Sequence, residues 1–287
     1  MKQPSNQSTL YLIPTPIGNL TDMTFRALQL LNQVDLIYAE DTRTSGILLK
    51  HYDIKTPMKS YHKFNEKVRC EEIINHLKNN KSIAIISDAG TPGISDPSNI
   101  IVKAVIEKGY QVVPLPGATA MIPALIASGF DTQQFFMAGF LPQKKKEKES
   151  LLQKSSSLNI PVIFYEAPHR LIKFLSEIKP YFHNADICIA REISKIYETF
   201  YRGKLFDMLQ NIDQITLKGE FVIIVLPEKQ EIDIASISDW RIIELSIQRL
   251  YNDKYKDLSI KAASQLISDE LWMSKNQIYK ILINMLT

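Results

Sequence analysis

The sequence predicts an α/β protein made of two α/β units, followed by a smaller helical unit. Short apolar strands alternate with segments of helical periodicity over roughly the first four fifths of the 287 residues. Strands separated by helices favour a mostly parallel sheet that helices cover. After a polar stretch that begins beyond Pro227, apolar residues recur only at helical spacing. We therefore expect units over 1–117 and 118–230, and a linker with a helical tail over 231–287.

The first unit shows the alternation most clearly. Phe25, Leu28 and Leu31 recur at helical spacing, and Asp22 is expected to cap that helix. Gly109 follows another helix in the position that favours glycine. The predicted strands are Leu10–Pro14, Val34–Ala39, Ser82–Ser87 and Gln111–Leu115, and the predicted helices are Asp22–Leu31, Glu66–Leu77 and Ile100–Ile106.

The turn Pro116–Ala120 is predicted to lead into the second unit. The charge run Lys144–Glu149 indicates a solvated helix or loop, and a contact with a phosphate backbone stays open. The predicted strands of this unit are Phe135–Ala138, Val162–Tyr165, Ile187–Ala190 and Phe221–Leu226, with a helix over Leu171–Ile178.

The tail is predicted to contain two short helices, which begin near Ser259 and Ser274 and resemble a helix-turn-helix. Seven Lys or Arg residues face five Asp or Glu residues from Arg241 onward, so the tail carries little net positive charge. A packing or dimer-stabilising bundle and a nucleic-acid reader therefore both stay open.

Composition sets wide limits on function. The net charge of +3 permits an anionic partner without requiring one. Cys70 and Cys188 match no zinc or redox spacing and are expected to be ordinary reduced thiols. The polar N-terminal residues and the lack of an apolar run of about 20 residues predict a soluble cytoplasmic protein.

The most informative segment is Ile85–Pro97, where an apolar strand ends in Asp88 and a loop of small residues follows. Open α/β sheets bind ligands at this position, where a strand leads through a shaped loop into a helix. Gly90 and Gly93 allow the backbone to approach a ligand closely. A tight connection with ordinary turn residues is the alternative reading.

Several enzyme classes lack their motif in this chain. No Walker motif, no Gly-x-Ser-x-Gly elbow and no Gly-x-Gly-x-x-Gly fingerprint occur, and the five histidines never pair at metal-ligand spacing. We therefore expect no metal. Four small-residue loops remain, and they describe a cleft for one small polar cofactor and an anionic or hydroxyl-bearing substrate: Pro16–Asn19, Asp88–Pro92, Pro116–Ala120 and Ala138–Phe140.

A series of longer motifs resembles the ribosomal RNA small subunit methyltransferase I family, within the tetrapyrrole-methylase-like group. The resemblance extends from about residue 9 to 227, and the tail resembles the small tail domain of that family. The motifs are Thr15–Leu20, Ala39–Arg43, Ser87–Pro92 with Ser95–Pro97, Pro114–Gly117, Phe164–Glu166 with His169–Arg170, Ala190–Glu192 and Gly219–Glu220.

The resemblance implies two α/β domains of the tetrapyrrole-methylase type, with the donor cleft between them, and a small C-terminal helical domain. It implies S-adenosylmethionine as methyl donor and transfer to the ribose 2′-hydroxyl of a cytidine in the decoding region of 16S rRNA, within the small ribosomal subunit. A homodimer is also expected from it. The wider group often has Gly-Asp-Pro where this chain has Ser87-Asp88-Ala89, so only Asp88 and the loop backbone are carried over.

The resemblance also implies roles for individual residues. Candidates to accept the proton of the hydroxyl are Glu166, His169, Lys195 and Asp41, and transfer by positioning alone, with water taking the proton, stays open. Arg43, Arg170 and Arg191 suit the phosphates of the substrate RNA. A buried ion-pair network is the structural alternative for these charged residues. The expected donor-binding residues are Ile17, Gly18, Asp88, Ala89, Gly90, Thr91, Thr119, Ala120 and Tyr165.

Two other functions stay open beside this reading. A tetrapyrrole methyltransferase would share the fold and the donor but would offer a cleft for a flat macrocycle. A non-enzymatic nucleic-acid-binding regulator would use the helical tail, which should then be strongly basic.

Overall fold

The computed structural model describes residues 8–95, 98–228, 240–271 and 273–286. The chain divides into two compact units, Met1–Lys229 and Gln230–Thr287. Both sheets belong to the first unit. Most of the predicted linker, from residue 229 onward, lies outside the described residues.

The first sheet has five strands, all parallel, as the sequence predicts for this half of the unit. Apolar side chains pack on both faces of the sheet, which explains why its inner strands read as continuous apolar runs. The strands are β1 Thr9–Ile13, β2 Leu36–Ala39, β3 Met58–Ser60, β4 Ile83–Ile86 and β5 Gln111–Pro114. Their order across the sheet is β3-β2-β4-β1-β5.

Four helices accompany this sheet: α1 Phe25–Gln33, α2 Thr42–His51, α3 Glu66–Lys78 and α4 Asn99–Glu107. The prediction that Asp22 caps α1 is wrong. Asp22 is the last residue of a short 3-10 turn that Asn19 caps, and α1 begins only after that turn. Thr24 is the cap, and its hydroxyl accepts the backbone N–H of Ala27 at 3.1 Å.

The second sheet is mixed and mostly antiparallel. Its strands are β6 Phe136–Gly139, β7 Val162–Glu166, β8 Asp186–Arg191, β9 Thr199–Lys204 and β10 Phe221–Leu226. In the order β6-β7-β10-β8-β9 only β6 and β7 run parallel. A mostly parallel arrangement therefore holds for the first sheet alone, because the loop 192–198 between β8 and β9 is short enough for a hairpin. The helices of this half are α5 Met121–Ser128, α6 Lys145–Ser156, α7 Leu171–Phe182 and α8 Leu205–Gln210.

The C-terminal unit is helical where the structure describes it. Its helices are α9 Trp240–Leu250, continued by a π-helical turn over Tyr251–Tyr255, α10 Ile260–Leu271 and α11 Lys275–Leu286. The hydroxyl of Ser259 accepts the N–H of Ala262 at 3.3 Å, at the predicted start of α10. A small apolar core holds the unit together through Ile247, Ala263, Ile267, Ile278 and Leu282. Over the described ranges, the helices lack the combination of length and apolar character needed to cross a membrane.

Candidate active site

A cavity of about 420 Å³ lies in the first unit, at the carboxyl ends of β1, β4 and β7. Residues from both sheets line it, so it joins the two halves of this unit. The lining residues are Ile17, Asp88, Ala89, Gly90, Thr91, Ile94, Ser95, Thr119, Ala120, Phe140, Tyr165, Glu166, Ala167, Pro168, Glu220, Phe221 and Val222.

Hydrogen bonds fix the shape of the loop that follows β4. Thr15 and Gly90 exchange two backbone hydrogen bonds of 2.9 Å, and the Thr15 hydroxyl donates to the carbonyl of Ser87. The Thr91 hydroxyl donates to the carbonyl of Ala118 at 3.0 Å. Gly90 has φ +82°, and a Cβ there would lie 3.5 Å from the side chain of Ile17. Glycine therefore suits the left-handed backbone, whereas the contact with Ile17 would be an ordinary van der Waals distance for a Cβ.

The charged side chains that line the cavity are all acidic: Asp88, Glu166 and Glu220. Asp88 accepts the backbone N–H of Asp41 at 2.9 Å. Although Asp88 is accessible to solvent, the concave surroundings displace part of its hydration, and this burial raises its pKa. Burial also raises the pKa of the neighbouring Glu40, and the charge of Asp88 adds to that shift.

Lys195 connects the two halves in an arrangement that we name the lysine clamp, formed by Lys195, Glu192, Glu220 and Gly18. The Lys195 ammonium lies 2.8 Å from Glu192 and 3.2 Å from Glu220. Burial alone would lower the pKa of Lys195, but the hydrogen bond to Glu192 and the charge of Glu220 raise it overall. The aliphatic stem covers Gly18, where a Cβ would lie only 2.4 Å from Lys195 Cε.

Eight of the nine residues predicted to bind the donor line the cavity; Gly18 does not and lies under Lys195 instead. Phe140 belongs to the predicted cleft loop Ala138–Phe140 but was not among the predicted donor-binding residues; it lines the cavity, and its ring lies 5.6 Å from that of Tyr165. Ile94 and Val222 are further apolar lining residues without a distinctive motif of their own.

The four candidate proton acceptors occupy different environments. Glu166 is buried at the cavity wall, whereas His169 is exposed and does not line the cavity. Asp41 caps α2, and its hydrogen bonds with Arg43 lower its pKa to about 2, which makes it a weak base. Lys195 stays protonated between two carboxylates. Of the four, the structure places only Glu166 in the cavity wall.

The three predicted RNA-binding arginines also differ. Arg43 is 89% exposed and pairs with Asp41. Arg170 lies 3.4 Å from Glu166 and is half-buried. Arg191 donates to the carbonyls of Lys218 and Tyr197 at 2.7 and 3.0 Å. Arg191 therefore holds loops of its own half, and we no longer expect it to be an RNA contact.

Comparisons with known proteins identify the family to which the chain belongs. The family model described as Tetrapyrrole (Corrin/Porphyrin) Methylases matches residues 9–209. A protein of Synechocystis sp. named Ribosomal RNA small subunit methyltransferase I is 41% identical over 95% of this chain and 96% of its own. A protein of the same name from Bacillus subtilis is 47% identical over 77% and 76% of the two chains.

Solved structures with low sequence identity share the fold. Diphthine synthase superposes with a TM-score of 0.64 at 13% identity and covers 77% of this chain and 90% of its own. Cobalt precorrin-4 methyltransferase superposes with a TM-score of 0.55 at 15% identity, covering 78% and 97%. These likenesses confirm the predicted α/β fold of the tetrapyrrole-methylase type.

With this cavity where the two sheets meet, the family match and the relatives' names identify the chain as a methyltransferase. The chain belongs to the tetrapyrrole methylase family and, within it, to the ribosomal RNA small subunit methyltransferase I group. Its methyl donor is S-adenosylmethionine, as the sequence predicted.

The residues present suit this donor. The cavity has the volume of a small-ligand site, which is about 300–1,000 Å³. The donor carries a positive sulfonium and an ammonium group, and the charged lining residues are carboxylates. Ile17, Phe140 and Val222 offer apolar surface for its adenine. Among the described residues, no group of three or more His, Cys, Asp or Glu side chains could hold a metal ion.

The lysine clamp predicts the effect of Gly219→Ala. Gly219 has φ +92°, and a Cβ there would lie 2.3 Å from the Glu192 carboxyl carbon. We expect this variant to displace Glu192 from Lys195, to lower the free energy of unfolding and to weaken donor binding, because Glu220 lines the cavity. Gly109→Ala is the matched control. Gly109 has φ +76° with open space around it, so an alanine there costs only the left-handed backbone strain of about 1 kcal/mol. If urea unfolding shows the same loss of stability in both variants, and calorimetry shows unchanged donor affinity in Gly219→Ala, the clamp is contradicted.

Asp88→Asn should separate stability from donor binding. The pKa of Asp88 is raised in the folded state, so its contribution to stability is full at low pH and is lost as pH rises through that pKa. We therefore expect the variant to melt at a higher temperature than the wild type at pH 7 and at a similar one near pH 3. Donor affinity should fall about tenfold at pH 7, because a charged hydrogen-bond partner is lost. The exposed Asp213→Asn serves as control in thermal scans and calorimetry, and a lower melting temperature of Asp88→Asn at pH 7 would refute the argument.

Proposed function

We propose that this methyltransferase acts on ribosomal RNA of the small subunit, at the ribose 2′-hydroxyl of a cytidine in the decoding region of 16S rRNA. The observation that carries the proposal is the likeness to the Synechocystis protein named Ribosomal RNA small subunit methyltransferase I, which covers 95% of this chain. That coverage is long enough to extend into the helical tail. The exposed Arg43 near the cavity adds support, because its guanidinium suits a phosphate.

The reaction forms a bond between the 2′-oxygen and the methyl carbon and breaks the bond between that carbon and sulfur. S-adenosylmethionine supplies an electrophilic methyl group when bound. Asp88 lies in the cavity where a carboxylate can hold a cationic donor in place. Glu166 lies in the same wall, where a carboxylate can accept the proton that the hydroxyl loses.

The contacts of Glu166 leave one of its oxygens for this role. Oε1 accepts the N–H of Ala167 at 2.9 Å and lies 3.4 Å from Nε of Arg170. Within the described part of the chain, both contacts use the same oxygen. Oε2 is therefore the atom that we assign to the substrate hydroxyl, while Oε1 fixes the orientation of the carboxylate.

A tetrapyrrole substrate is the second candidate, favoured by the description of the family model and by the likeness to cobalt precorrin-4 methyltransferase. The latter likeness shows the fold alone.

Labelled donor should be incubated with the protein and, separately, with small ribosomal subunits, bare 16S rRNA and a precorrin. We expect label in RNA, recovered as 2′-O-methylcytidine after digestion to nucleosides. Label in the macrocycle and none in any RNA would overturn the proposal.

Glu166→Gln tests the proton acceptor, with Arg170→Gln as its matched control. We expect Glu166→Gln to lower kcat about a hundredfold at unchanged donor affinity, because a neutral amide cannot take the proton. Arg170→Gln should raise the KM for RNA, since it removes a cation that suits a phosphate. It should lower kcat far less than Glu166→Gln does, because the N–H of Ala167 still orients Oε1 of Glu166. If Glu166 served only to pair with Arg170, both variants would lower activity in the same way.

The proposal includes two features of the assembly. The substrate is the assembled small subunit, and the enzyme acts as a homodimer, because one cavity is small beside so large a substrate. A light-scattering mass near the 32.8 kDa of one chain would contradict the dimer. Faster methylation of bare 16S rRNA than of subunits would contradict the first feature.

A further inference from the structure

The loop between β3 and α3 presents an aromatic ring to solvent. Phe64 is 95% exposed, although it lies between half-buried neighbours His62 and Asn65. A single exposed apolar residue requires no explanation by itself. Phe64 differs from an ordinary exposed residue because hydrogen bonds fix its loop and because that loop lies beside the cavity.

Side-chain hydrogen bonds hold the loop in one shape. Asn65 accepts the backbone N–H of His62 at 2.9 Å and donates to the carbonyl of Ser60 at 3.2 Å. The N–H of Phe64 donates to Nδ1 of His62 at 3.3 Å, and the two rings lie 6.1 Å apart. These bonds fix the backbone that carries the exposed ring, so the loop itself loses little freedom when a partner covers it.

The loop lies at the same edge of the first sheet as the cavity. The strands of that sheet are parallel, and β3 is followed in order by β2 and β4. The loop after β2 binds the loop after β4, because the N–H of Asp41 donates to the cavity residue Asp88. Two strand spacings of about 4.8 Å separate β3 from β4, so the loop that carries Phe64 leaves the sheet about 10 Å from the strand whose loop lines the cavity.

Exposed cationic side chains lie close to Phe64 in the sequence and on the neighbouring loop. Lys63 and Lys67 are exposed on the same stretch as Phe64, and Arg43 is exposed at the start of α2, directly after the neighbouring strand β2. An apolar partner would have to bury these charges. A nucleic acid would instead place its phosphates near them and a base on the ring, which is how single-stranded RNA is commonly bound.

We propose that Phe64 is a stacking platform for an unpaired base of the substrate RNA, next to the nucleotide that receives the methyl group. Lys63 and Arg43 hold the flanking phosphates. The inference rests on the proposed function, since it requires RNA at the cavity. It adds a positioning residue that lies outside the motifs by which the family resemblance was found.

Phe64→Ala tests the platform in the full-length protein, with Phe64→Trp to restore stacking. Removal of one stacked base commonly costs a fold-change of about 5 to 150 in affinity. We expect Phe64→Ala to raise both the Kd and the KM for small ribosomal subunits at least fivefold, with donor Kd and melting temperature unchanged. Phe64→Trp should bind like the wild type.

Phe206→Ala is the matched control. Phe206 is an exposed ring with the Lys179 ammonium 5.2 Å from its centroid. Phe206 borders an open depression just after the end of β9. Because β9 runs antiparallel to β8, β9 ends beside the start of β8. Phe206 therefore lies at the end of the second sheet that is away from the cavity. We expect this variant to bind RNA like the wild type.

The outcomes distinguish the platform from the proposed function. If the wild type methylates RNA but Phe64→Ala binds RNA with the same affinity as the wild type, the platform alone is overturned. A lower molecular mass of Phe64→Ala in light scattering would show that a second copy of the chain covers the ring, and would also overturn it. A wild type that neither binds nor methylates RNA would overturn both proposals.

Discussion

The contact between Lys195 and Gly18 is the constraint on which the active site depends. The lysine stem occupies the space where any other residue at position 18 would place its Cβ, and its ammonium joins Glu192 to Glu220. On the other side of Gly18, Ile17 packs against the apolar cluster of the second half. Because Ile17 and Glu220 both line the cavity, the same contact that joins the two sheets also sets the distance between the cavity walls.

The site separates charges of opposite sign over a short distance. The charged groups of the cavity wall are carboxylates, which favour a cationic donor, whereas Arg43 and Lys63 lie exposed along the same sheet edge and favour a polyanion. Asp41 belongs to both regions. Its backbone N–H binds Asp88, while its side chain orients Arg43. One residue at a strand end thus fixes a carboxylate of the cavity wall and a cation suited to phosphate.

The sequence was sufficient where local chemistry decides the structure. The apolar runs of β1, β2 and β4 predict buried parallel strands, and the small-residue loops predict where backbone can approach a ligand. β3 and β9 were not predicted, because Met58–Ser60 is too short and polar and Thr199–Lys204 contains exposed Arg202 and Gly203. The roles of Lys195 and Arg191 depend on partners brought together by tertiary structure. A charged residue after a strand looks the same in the sequence whether it meets a substrate or a carbonyl of its own chain.

Glu166 combines two properties that usually conflict. A carboxylate with 1% of its side chain exposed must be paired or hydrogen-bonded, because an unpaired buried charge is costly. Arg170 and the N–H of Ala167 meet this requirement through Oε1. Because both partners bind one oxygen, the other is left to meet a hydroxyl without a change in the position of the side chain. The pairing that stabilises Glu166 in the wall thereby orients it, and orientation is the larger contribution that a protein makes to an in-line methyl transfer.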